Sequence, residues 1–180
     1  GGYVRTYAHG GSANWSPDSS YGICAPGGIN ITNSTVEAYG GTAKVNSVGI
    51  YTNSGDVTIT GSSSVTASYN DEDFIIDDRF EFGDGYGIYS GVGVRVEGGM
   101  VYAYGAPATG DGSDSYGIYA RGNVTMSGFA MVTATGGEAG NDSFGISAGG
   151  NVKMSGNSTV SATGDSFGIR AGSVTWSGYS

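Results

Sequence analysis

One motif limits what this chain can fold into more than any other: an aromatic residue or valine followed by Gly-Ile. It recurs as Tyr21-Gly22-Ile23, Val48-Gly49-Ile50, Tyr86-Gly87-Ile88, Tyr116-Gly117-Ile118, Phe144-Gly145-Ile146 and Phe167-Gly168-Ile169. Successive glycines of this set lie 27, 38, 30, 28 and 23 residues apart. Two more apolar-alternating segments follow each copy. The second runs from Ile29-Asn30-Ile31 through Val57-Thr58-Ile59, Val94-Arg95-Val96, Val124-Thr125-Met126 and Val152-Lys153-Met154 to Val174-Thr175-Trp176. The third reads Val36-Glu37-Ala38, Val65-Thr66-Ala67, Val101-Tyr102-Ala103, Val132-Thr133-Ala134 and Val160-Ser161-Ala162. A unit of this size cannot bury an apolar face alone, so it must stack on its neighbours, as solenoid repeats do.

Alternation of apolar with polar residues over four to six positions is the mark of a strand with one buried face. Gly, Asn, Ser and Asp turns separate the segments, and no helical run is visible. The chain is therefore expected to be all-β: a single-stranded right-handed parallel β-helix with three strands per coil. Five full coils and a partial sixth fit into residues 1–180 as one domain, giving a rod roughly 25–30 Å long at about 4.8 Å per coil. The variable period favours the right-handed form, with loops at one corner, over a strict hexapeptide helix. Strict alternation predicts that Tyr21, Val48, Tyr86, Tyr116, Phe144 and Phe167 point inward beside the isoleucines. The alanines of the third segment would then leave room for those rings.

Composition narrows the function. Acids outnumber bases 16 to 7, for a net charge of −9, with no basic stripe, so nucleic acid is not an expected partner. No apolar run reaches the ~18 residues of a membrane span. One cysteine, Cys24, and one histidine, His9, supply neither a disulfide nor a zinc site nor a histidine triad. The chain opens on Gly-Gly, partway through a coil. It is expected to be part of a longer protein whose targeting signals and end caps lie elsewhere.

Departures from the repeat are where function is sought. All length variation falls between the third segment and the next Gly-Ile, so these loops should gather along one edge, a common binding face in solenoids. The longest holds seven of the sixteen acids within the fifteen residues 70–84. Oxygen ligands at that density suit Ca²⁺, with Asp71, Asp73, Asp77 and Asp78 as candidates; the alternative is a solvated acidic loop. No other cofactor is implied. Outward positions after Gly-Ile are Cys24, Tyr51, Tyr89, Tyr119, Ser147 and Arg170. Three stacked tyrosines, joined near the corner by Trp15, Tyr39, Tyr69, Tyr102 and Tyr104, form a strip suited to sugar rings, whose C–H faces lie on aromatic π-faces. The same stacking also stabilises a sheet without any ligand. An enzyme on this fold would use paired carboxylates, or calcium with an outward base such as Arg95, Lys153 or Arg170, and no carboxylate pair recurs on adjacent coils of one face.

The phrases SYGIYARGNVTMSG and STVSATGDSFGIRAG resemble the repeats of large secreted or wall-attached proteins of gut Firmicutes, described as carbohydrate-binding domain-containing. The resemblance covers residues 20–178. It implies a pectate-lyase-like fold, a secreted or cell-surface bacterial location, and polysaccharide or surface glycan together with neighbouring domains of the parent protein as partners. Some members of such folds bind acidic sugars and calcium without cleaving, and those members favour a Gly-Asp-Asp-Gly-Ile turn; here that turn reads Gly164-Asp165-Ser166-Phe167-Gly168-Ile169. The reading is a non-enzymatic adhesive module that binds carbohydrate along the loop corner and the tyrosine strip. The alternatives are a plain spacer stalk and a calcium-dependent lyase or hydrolase.

Overall fold

The computed structural model describes residues 4–10, 19–69 and 82–178. Strand β1 (Val4–His9) comes first, followed by coils of three strands each. The first coil is β2 (Ser20–Ala25), β3 (Ile29–Thr32) and β4 (Ser34–Gly40); the second is β5 (Asn46–Thr52), β6 (Val57–Thr60) and β7 (Ser64–Tyr69). The third is β8 (Asp84–Ser90), β9 (Val94–Glu97) and β10 (Met100–Tyr104); the fourth is β11 (Ser115–Ala120), β12 (Val124–Ser127) and β13 (Met131–Thr135). The fifth is β14 (Ser143–Ala148), β15 (Val152–Ser155) and β16 (Thr159–Thr163), and β17 (Phe167–Arg170) with β18 (Val174–Ser177) begin a sixth.

Like strands of successive coils pair in parallel, giving three six-stranded sheets in a right-handed β-helix. The Gly-Ile strands form the first sheet, the middle strands the second, and the Val-x-Ala strands the third. The expected fold, three strands to a coil, is the observed one. Its interior holds Ile50, Ile88, Ile118 and Ile146 from the first sheet, all fully buried, facing Val57, Ile59, Val94, Val96, Val124 and Met126 from the second. The third sheet adds Val65, Val101 and Val132 with their alanines. Each buried Ile, Val or Met side chain contributes roughly 1.5–3 kcal/mol through removal from water.

The turn from second to third sheet needs a left-handed residue in every coil. Asn33 (φ 49°), Gly61 (68°), Gly98 (81°), Gly128 (67°) and Gly156 (66°) supply it, Asn being the non-glycine that tolerates this region best.

The first sheet departs from strict alternation, and the inward placement of the aromatics is corrected here. Residue pairing between coils passes over the glycine of each Gly-Ile. A Cβ built on Gly117 would sit 2.5 Å from Thr135 N and 2.8 Å from the carbonyl carbon of Ala134, so the glycine itself faces the third sheet. Its neighbour Ile118 also faces inward. Two consecutive inward residues make a bulge, which reverses the parity of everything before it. Tyr86, Tyr116 and Phe144 are consequently buried in a separate cluster with Val48, packed against the outward Tyr51, Tyr89 and Tyr119. Arg170, an outward residue, lies over the Phe144 ring at 5.4 Å. The alanines of the third sheet make room for glycine backbone rather than for rings.

Candidate functional site

The inflection at glycine sets two aromatic columns side by side on the outer face of the first sheet. In the inner column Tyr86 stacks on Tyr116 (5.0 Å between centroids, 4° between planes), Tyr116 on Phe144 (5.0 Å, 7°) and Phe144 on Phe167 (5.5 Å, 8°). The outer column stacks Tyr51 on Tyr89 (4.9 Å, 17°) and Tyr89 on Tyr119 (5.2 Å, 17°), with Tyr21 tilted over Tyr51 at 4.8 Å. Edge-to-face contacts lock the columns together: Tyr86 with Tyr89 at 5.2 Å and Tyr116 with Tyr119 at 5.1 Å. Such pairs are each worth ≈ 0.5–1.5 kcal/mol beyond the area they bury.

The predicted strip Tyr51, Tyr89 and Tyr119 is thus assembled, half-buried rather than fully exposed. Its inner rings present edges, because stacking covers their faces. Tyr119 ends the outer column: its partner in the next coil is the small Ser147, so among the described residues no ring stacks on that side. Tyr102 and Tyr104 stand on β10 in the third sheet, half-buried, and among the described residues no ring contact joins them to the columns. Trp15 and the candidate calcium ligands Asp71, Asp73, Asp77 and Asp78 lie outside the described residues. Among the described residues no group of three or more His, Cys, Asp or Glu is placed to hold a metal.

A carboxylate column was missed in the sequence, although an acid two positions before the aromatic was its visible signal. Asp84 Oδ2 accepts from the Tyr86 hydroxyl (2.8 Å), and Asp114 Oδ2 from that of Tyr116 (2.6 Å). The other oxygens reach along the rod: Asp84 Oδ1 accepts from Asp114 N, and Asp114 Oδ1 from Asp142 N, both at 3.0 Å. Asn141 Nδ2 adds a further bond to Asp114 Oδ1 (2.9 Å). Each of these two carboxylates therefore ties one tyrosine to the next coil. Two loops over this corner, 105–114 and 136–142, stack on each other, with Ala108 bridged to Ala139 and Asn141 N donating to Ser113 O (3.0 Å).

Burial pushes the Tyr86 hydroxyl far above its ordinary value of 10.0, and the charge and hydrogen bond of Asp84 add to the effect. Tyr116 is raised likewise by burial and by Asp114. Tyr51 is raised by burial and by its neighbouring tyrosines. Because the folded values of Tyr86 and Tyr116 exceed the unfolded one, the unfolded chain loses these protons first. The stability that the two hydroxyls contribute is complete below about pH 10 and is lost progressively above it. Thermal melts followed by circular dichroism should show a melting temperature falling steeply above that pH. The Tyr86→Phe/Tyr116→Phe variant should lose roughly 1 kcal/mol per missing bond at neutral pH and most of that alkaline slope. An unchanged slope would contradict the assignment.

The bases considered for catalysis are not brought together with carboxylate pairs. Arg95 is held by Glu97 on the same strand, its Nε donating to Glu97 Oε1 at 2.6 Å. Lys153 stands between Thr125 and Thr175. At the opposite corner the exposed Phe129, Met100 and Met131 border an open groove of about 700 Å³ beside Gly61, Gly98 and Gly128; Phe129 sits in a turn otherwise made of small residues, the one hint in the sequence. No helix among the described residues is long and apolar enough to cross a membrane. No protein-family model matches the chain, nor does any curated protein or solved structure.

Proposed function

We propose that this chain is a non-enzymatic, carbohydrate-binding module of a bacterial surface or secreted protein, engaging glycan along the outer tyrosine column. The observation that carries the reading is the column itself. Tyr51, Tyr89 and Tyr119 present a row of phenol edges on a parallel sheet, and among the described residues no ring is stacked on Tyr119 toward Ser147. A pyranose can lay its C–H face on that ring while its hydroxyls reach the phenol oxygens. The carboxylates of Asp84, Asp114 and Asp142 at the adjoining corner, with the net charge of −9, favour neutral over uronic-acid glycans.

Affinity electrophoresis against a panel of neutral and acidic polysaccharides tests this. Retardation by neutral polymers is expected, weakened about fivefold to tenfold by Tyr119→Ala, in line with the energy of one aromatic contact. Equal retardation of wild type and variant, or none across the panel, would overturn it. One observation favours a second reading, a rigid spacer: most rings of both columns are already engaged by other rings, which stiffens the rod whether or not a ligand binds. In that case Tyr119→Ala lowers the melting temperature and changes nothing else. A lyase or hydrolase has less support, since among the described residues no ion pair or paired carboxylate serves Lys153 or Arg170.

A further inference from the structure

Resting on the carbohydrate reading of the outer column, we propose that Ser147 marks a slot in that column which takes one pyranose ring between Tyr119 and Arg170. The glycan recognised there is a neutral chain end or single-residue branch, not the middle of a chain. The outward positions of the first sheet run Tyr51, Tyr89, Tyr119, Ser147 and Arg170 from coil to coil. Three rings, a hydroxymethyl group and a guanidinium therefore share one column, and the hydroxymethyl group is too short to fill its place.

Arg170 keeps to the line of the column. Its guanidinium carbon lies 5.4 Å from the centre of the Phe144 ring one coil back, much as Tyr119 lies 5.8 Å from Tyr86 one coil back. Tyr119 and Arg170 are two rungs apart, about 10 Å along the rod. A ring inserted at the level of Ser147 would lie about 5 Å from each, the spacing at which Tyr89 stacks on Tyr119 (5.2 Å). Both its faces are then engaged. The Tyr119 ring suits the C–H face of a sugar, and the planar fork of N–H donors on Arg170 can meet two adjacent hydroxyl oxygens. Among the described residues no carboxylate pairs with Arg170. Its side chain is long and exposed, so it can turn outward as a ring enters.

Two adjoining sides of the slot are closed. Ser147, 7% exposed, is the floor, and the buried Phe144 of the inner column is the wall. The outward side is open, as is the flank away from Phe144, where the chain turns at the small residues Ala148, Gly149 and Gly150. In a 1,4-linked polymer the bonds to the two neighbouring sugars leave opposite edges of the ring. Each open side of the slot lies across from a closed one, so those two edges cannot both be free. A residue with a single linkage fits, and one inside a chain does not. No such slot exists at Tyr51 or Tyr89, because other rings cover both their faces.

Ser147→Tyr is the decisive variant, since its ring continues the column and fills the slot. It should keep the strand spectrum and melt at or above the wild-type temperature. It should nevertheless lose retardation by the unbranched neutral polymers of the panel, namely pullulan, lichenan and amylose. Arg170→Gln should weaken retardation about tenfold, as loss of a charged donor does, and leave the melting temperature unchanged. A further measurement uses the wild type alone. Acid-cleaved fragments of the polymer that retards most should compete, gram for gram, in proportion to their number of non-reducing ends. Two results overturn the slot while sugar binding on the column stands: full binding by Ser147→Tyr where Tyr119→Ala is weakened, or fragments that compete per gram no better than the intact polymer. No retardation of the wild type by any polymer of the panel removes both readings.

Discussion

Replacing Gly117 with alanine is expected to cost ~3 kcal/mol or more, in the upper range for overpacking, although it adds one methyl group in the middle of a strand. The new Cβ would lie 2.5 Å from Thr135 N, 2.7 Å from Gly145 O and 2.8 Å from Ala134 C. All three are backbone atoms of paired strands, so none can swing aside as a flexible side chain would. Relief requires parting the first sheet from the third or the fourth coil from the fifth, and both movements break parallel pairing. Gly27→Ala is the matched control, since a Cβ there meets nothing within 4 Å. Urea titrations of the two variants should differ by most of the cost of Gly117→Ala. Equal midpoints would show that the first sheet does not approach the third so closely.

The second large effect is expected from Ile118→Ala, which should cost about 2–5 kcal/mol, the usual range for truncating a large aliphatic side chain in a sealed core. Ile118 is fully buried, stacked between Ile88 and Ile146 in the interior shared by all three sheets. Coils above and below prevent collapse around the cavity. Ile169→Ala removes the same atoms from the last described coil, where Ile169 is only partly buried, and should cost well under half as much. Solenoid stability is close to a sum of each coil and its nearest-neighbour contacts, so position along the rod decides the result. Comparable losses from both variants would argue against stacked coils as the source of stability.

Much of this architecture was legible in the sequence. The Ile column from Ile23 to Ile169, the Val-x-Ala column and the three-strand coil all follow from counting apolar residues at period two and then at the longer repeat. Of the loops expected to gather at one corner, 105–114 and 136–142 do stack on each other, whereas most of 8–20 and 69–85 lies outside the described residues. The failure was local. Tyr116 and Ile118 have the same parity, and strict alternation puts them on one face. The bulge at Gly117 separates them, and only the approach of the Thr135 backbone reveals why a glycine stands there. From that follow the outward position of the inner aromatic column, its contact with Tyr89 and Tyr119, and the bonds from Tyr86 to Asp84 and from Tyr116 to Asp114. Among the binding candidates, Tyr51, Tyr89 and Tyr119 are brought together, whereas Tyr102 and Tyr104 stand on another sheet.

What the order of residues determined alone was the coil: its three strands, its parallel stacking and its apolar interior, because these depend on periodicity and on the need of a small unit to bury one face. What only the tertiary structure decided was which side of the wall the aromatic rings occupy. That choice turns on a single residue of extra length in each first-sheet strand, forced where two sheets come within backbone contact, and strands adjoining in space leave no mark in the local alternation of a chain.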